Sequence, residues 1–243
     1  MANTSLYNSL FHKSASSIMK GGGFNPETTI HLIQEKKTFL IMIFANLIVQ
    51  LGITYYMVVN TDIQMIKERD HSFFYRYSFI GFLPAFILIF IMNFPMPSWL
   101  RFIFFSMFSA YMGFLLNFWK KIYGLEMMKA VIFSVIGIFI SLIVFAVGLL
   151  TFGIKISNRF GIVLLFALLL LIISKIIFMY AGTYSTYSKS FAIFGVALFA
   201  MYILYDTHQI LQRNYYGDFV TASLDYYLDF INIVSSLLNY NNN

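Results

Sequence analysis

The sequence predicts an all-α polytopic membrane protein, a bundle of seven transmembrane helices. Three observations lead there. Apolar residues make up 60% of the 243-residue chain and charged residues only 11%, with a mean hydropathy of +0.77. An average soluble domain carries roughly 25% charged residues. A single core of this length cannot bury so much apolar surface under so little polar cover. A soluble enzyme and a disordered chain are thereby excluded. Second, the apolar residues fall into runs of about 20, the length that crosses a bilayer. Third, the basic residues sit singly or in pairs between those runs, as juxtamembrane residues do. Despite a net charge of +6 they form no basic stripe, so nucleic acid is not an expected partner. The chain has no cysteine, which excludes disulfides, thiolate metal sites and a cysteine nucleophile.

The elements follow in chain order. Residues 1–36 hold Lys13, Lys20, Gly21 to Gly23, Asn25-Pro26-Glu27 and scattered Ser and Thr, and read as a mobile polar tail. They do not read as a signal peptide, because the first apolar run begins only after Lys36-Lys37 and is too long for an h-region. A transmembrane domain is expected over 37–239, with spans at about 38–59, 77–96, 99–119, 128–153, 160–180, 190–212 and 219–238, and a fray at 240–243. Asn93 to Ser98, with Pro95 and Pro97, reads as a tight hairpin between spans two and three rather than a kink in one helix. The short links Lys155 to Arg159 and Arg213 to Asp218 make their flanking spans antiparallel neighbours. Basic residues divide almost evenly between the two sides, so orientation rests on the first span, which tilts toward a cytoplasmic N-terminus.

Ionisable groups inside a span are costly and mark function by default. Lys175 lies near the end of span five and reads as a snorkelling lysine. The acidic residues are different, since one methylene does not let a carboxylate snorkel. Asp206 lies in span six, and Asp225 and Asp229 in span seven. Ala222, Asp225, Asp229, Asn232 and Ser236 recur at intervals of three and four, which makes one polar stripe on an apolar helix. Measured from the turn near Asn214 to Tyr216, Asp225 is nearly level with Asp206, and Asp229 is roughly 6–7 Å deeper than Asp206. Asp206 can therefore meet the stripe in an antiparallel pair. Two close carboxylates in a low dielectric cannot both stay ionised cheaply, so they share a proton and titrate as a unit. Deprotonated, they attract a cation, and waters or carbonyls must complete a shell for Ca²⁺. Such a site binds weakly enough to release, which suits conduction. His208, two residues beyond Asp206, faces away from it and reads as a surface histidine, with a pH-modulating role as the alternative. Gln209 and Asn232 are auxiliary polar contacts. The bland reading of the stripe is a hydrogen-bonded network that only joins helices.

The last two spans resemble the transmembrane Bax inhibitor motif family. The match is carried by Tyr202 to Ile210 (Tyr-Ile-Leu-Tyr-Asp-Thr-His-Gln-Ile), by Gly217-Asp218-Phe219, and by Leu224 to Ile233 with Tyr227-Leu228-Asp229-Phe230-Ile231-Asn232 at its centre. The resemblance implies a last helix surrounded by six others. It implies a pH-sensitive calcium leak channel of the endoplasmic reticulum or Golgi, a suppressor of apoptosis, and Bcl-2-type cell-death regulators as partners. It also implies that Asp206 and Asp229 form the pH sensor and transient calcium ligands, with calcium as permeant ion, no catalytic residue and no cofactor. A homo-oligomer is compatible with this picture. Two departures stand out. Asp225 takes a position where relatives carry a small or neutral residue. The basic latch of bacterial members is missing at Ile91 to Pro95, and Arg101 is a candidate replacement.

Two rival readings use the same residues. A non-conducting scaffold that binds cell-death regulators needs the same bundle. An intramembrane aspartyl protease would use Tyr205-Asp206, but its second motif is incomplete, because Tyr216-Gly217-Asp218 lies at a loop without the preceding glycine. Richness in Phe, Ile, Tyr and Asn fits an AT-rich genome, viral or protist.

Overall fold

The computed structural model describes residues 26–61, 71–212 and 218–241, with the backbone alone over 71–80. Among them it is all helix: α1 (Pro26–Glu35), α2 (Lys37–Asn60), α3 (His71–Met92), α4 (Ser98–Thr151), α5 (Asn158–Tyr180), α6 (Tyr184–Gln212) and α7 (Phe219–Tyr240). Helix α4 is two antiparallel spans joined at Gly124, whose φ of 80° and ψ of 160° are open only to glycine. With its two arms counted separately and the short α1 set aside, the described residues form seven longer helices. Helices α2, α4, α5 and α6 are long and apolar enough to cross a bilayer by length and composition. The chain is a polytopic membrane bundle.

The bundle is built around α7. Its Val220, Ala222, Ser223, Tyr227 and Ile233 are fully buried. It packs against α2, both arms of α4, and α6. Tyr227 sits edge-on to Phe105 and Phe108 of the first α4 arm, at ring separations of 5.3 and 5.7 Å. Tyr226 and Phe230 meet Phe139 of the second arm, at 5.2 and 6.0 Å. The outer helices reverse the usual burial pattern. On α5, Val163, Phe166, Leu170 and Ile173 point outward and are more than half exposed. Hydrocarbon lipid makes that free of the cost it carries in water.

Helix ends follow local chemistry. Asp218 caps α7 by accepting the Thr221 amide at 3.1 Å. The second arm of α4 ends with Gly153 at φ 75°, where the Ile154 amide returns to Leu149 O and the Gly153 amide to Leu150 O, both at 3.0 Å. Between α3 and α4 the helix is broken from Asn93 to Pro97, and α4 restarts at Ser98. One expectation is corrected. Residues 26–35 are not part of a mobile tail but form α1, with Pro26 at its first position and Glu27 in its first turn, both helix-starting signals. Residues 1–25 lie outside the described residues.

Candidate functional site

Asp206 sits two turns before the end of α6, and Asp229 three turns into α7. Both are buried, at 8% and 4% exposure, and their carboxyl groups face each other within hydrogen-bonding reach. Two carboxyls in that contact need one proton between them, because two carboxylates offer only acceptors. Oxygen Oδ2 of Asp229 meets no donor among the described residues. Asp225 is half-buried and close enough to act on both carboxyls through its charge. The depth count from the turn matched Asp206 most nearly with Asp225. The helix pair instead brings Asp206 to Asp229, one turn deeper.

The surroundings hold this pair in place. Thr207 donates to Ile203 O at 2.7 Å and shares a 2.8 Å bond with the Tyr226 hydroxyl, so α6 and α7 are tied beside the carboxyls. Gly195 lets α6 approach Ser236 so closely that an added Cβ would stand 2.6 Å from its hydroxyl. Gln209 is buried at 6% exposure. Asn232 is half-buried and donates back into its own helix, to Leu228 O at 2.7 Å.

His208 corrects the sequence reading. It is not a surface residue but 1% exposed, because the connection between α4 and α5 folds over it. Its Nδ1 lies 3.0 Å from Leu204 O and its Nε2 3.1 Å from Ile154 O. It does face away from Asp206, as its position two residues on requires.

The expected basic partner, Arg101, does not reach the carboxyl pair. Arg101 bonds the Asp218 carboxylate at the cap of α7, with a longer contact of 3.5 Å to Thr221 Oγ1. Lys36 donates to Ile210 O at 2.8 Å, in the last turn of α6. Among the described residues, no three His, Asp or Glu side chains converge as a metal cage. A cation at the pair would take carboxylate oxygens from Asp206 and Asp229, and its remaining ligands from elsewhere.

The sequence reading passed over a second polar face. Asn46, Gln50 and Thr54 recur every four residues on α2 and are at most 4% exposed. Their spacing is legible in the sequence, but they sit singly among Ile, Leu and Val and do not stand out from the apolar run.

The comparisons fit this architecture. The family model Bax1-I, described as inhibitor of apoptosis-promoting Bax1, matches residues 31–242, from α1 through α7. Bax inhibitor 1 of Schizosaccharomyces pombe is 32% identical over 139 residues, which is 57% of this chain and 50% of that relative. The match thus spans about half the length of the curated relative. A family model that runs through every described helix, both buried aspartates included, places the chain by more than its hydropathy: it belongs to the Bax inhibitor family.

Proposed function

We propose that this membrane protein is a pH-gated calcium leak of an intracellular membrane, of the endoplasmic reticulum or Golgi type, and that through the leak it restrains apoptosis. One observation carries the reading: Asp206 and Asp229 face each other, buried, between two helices of a membrane bundle. Buried charge inside a membrane is expensive and is kept where ions or protons pass. With one shared proton the pair carries a single negative charge and is closed on itself. Loss of that proton leaves two like charges in contact, which favours separation of the carboxyls and entry of a cation. Asp225 adds a third negative charge nearby and would bias the pair toward cation capture.

The test is calcium release from liposomes holding the purified chain, followed from about pH 6 to pH 8. The wild type is compared with Asp206→Asn and Asp229→Asn. An amide keeps the shape of the carboxyl but cannot lose the shared proton. Each variant is therefore expected to flatten the pH profile of the leak. Folded wild type that releases no calcium, or variants that keep the wild-type profile, would overturn the reading in favour of a scaffold that binds cell-death regulators.

A further inference from the structure

The polar face of α2 does not end in simple pairs. Asn46 donates to Ser223 of α7 at 2.5 Å, and Gln50 donates to Asn46 Oδ1 at 3.1 Å and to Ser106 Oγ of α4 at 3.2 Å. Thr54 lies within 2.9 Å of Ser109 O and shares a 2.5 Å bond with the Tyr227 hydroxyl. One turn further, Asn117 of α4 donates to Met57 O of α2 at 2.9 Å. Lys120 then bonds Thr61 O at 2.8 Å. From Asn46 to Thr61 this line climbs about 22 Å along α2, against a hydrocarbon thickness of about 30 Å.

The line is incomplete. Both Gln50 and Asn117 are fully buried, and each uses its amide nitrogen for two bonds while its amide oxygen, Oε1 or Oδ1, meets no donor among the described residues. A buried amide oxygen without a donor loses its hydration with nothing in return, and no bulk solvent lies beside a membrane helix to relieve it. Apolar residues of the same size would serve better if the line only joined helices. The line is separate from the carboxyl pair: on α7, Ser223 and Tyr227 lie about 160° around the axis from Asp225 and Asp229.

We propose that the seam between α2, α4 and α7 holds a file of internal water, bound at Gln50 Oε1 and Asn117 Oδ1 and running through the membrane beside the carboxyl pair. A water there donates to the amide oxygen, and the Ser109 hydroxyl, buried without a partner among the described residues, is free to donate to it, toward the two or more partners an internal water needs. The file conducts nothing by itself in this proposal. It is a hydrated seam along which α2 can slip against α4 and α7 at low cost, because water exchanges partners where a packed side chain cannot.

The proposal is tested on the full chain in lipid nanodiscs by a radiolytic hydroxyl-radical pulse, which labels side chains next to internal water, read by mass spectrometry. Tyr227 bonds Thr54 in the line, and Met128 sits in apolar core; both are fully buried. After correction for intrinsic reactivity, Tyr227 is expected to label about tenfold faster than Met128. Equal rates would overturn the proposal, whatever the outcome of calcium release. In the double variant Gln50→Leu, Asn117→Leu, Tyr227 labelling is expected to fall to the Met128 rate. Labelling that persists in the folded variant would equally overturn it. If the variant does not fold, the wild-type ratio decides alone.

Discussion

The Asp218 carboxylate does two jobs. One oxygen caps α7 through the Thr221 amide, and the other takes both the Thr221 hydroxyl at 2.7 Å and the Arg101 guanidinium. Replacing Asp218 removes the cap and the ion pair together, whereas replacing Arg101 leaves the cap intact. Asp218→Ala is expected to cost about 1–3 kcal/mol, and Arg101→Ala less than half of that. Thermal unfolding in nanodiscs checks the order, and an Arg101→Ala loss as large as that of Asp218→Ala would refute it. At this scale the sequence was partly legible. Asp206 and Asp229 stood out because a carboxylate in an apolar run has no bland excuse. His208 was misread because a helical wheel tells only which way a side chain points. What waits there, the carbonyl of Ile154 brought in by the Gly153 cap, depends on a connection the wheel does not contain.

Helix–helix approach is set by small residues at two contacts that differ in kind. A Cβ on Gly113 would stand 2.6 Å from Thr54 O and 2.7 Å from Met57 Cβ, so it would press on the backbone of α2. A Cβ on Gly195 would meet only the Ser236 side chain, which can rotate away. Gly113→Ala is therefore expected to cost about 1–3 kcal/mol and to push α2 off α4. Gly195→Ala is expected to be nearly neutral. The two melting temperatures, taken side by side, test this, and equal shifts would contradict it. Hydropathy made the spans legible, because lipid demands long apolar runs regardless of packing. Helix α1 was hidden by its company: glycines and polar residues just before Pro26 made the whole segment look unstructured, although proline and Glu27 mark a helix start. The polar face of α2 was hidden for the opposite reason, since three polar residues spread over two turns barely change the mean hydropathy of the run.

At the scale of the molecule, one end of the bundle gathers the ties that hold its helices in register. Lys36 precedes α2, Ile154 follows the second arm of α4, Arg101 and Asp218 lie at the starts of α4 and α7, and Ile210 ends α6. The topology brings all of them to one face, next to the end of α6 that carries Asp206. The Lys36 ammonium reaches the closing turn of α6, where unpaired carbonyls favour a cation. Burial there pushes its pKa down to about 8, against an ordinary value of 10.5, with the nearby Glu35 charge opposing the shift. The sign follows from proton counting. Between about pH 8 and pH 10.5 the unfolded chain keeps the proton that the folded chain has lost, so stability rises with pH across that window. A lysine held mainly by an ion pair would show the reverse. Lys36→Met removes the titration and keeps the chain length, so the gain between pH 8 and pH 10 is expected in the wild type and not in the variant. The difference between their apparent melting temperatures isolates Lys36 from every other group in the chain. Parallel curves would mean that Lys36 keeps its water in the folded protein and that its bond to Ile210 does not tie α2 to the carboxyl-bearing helix.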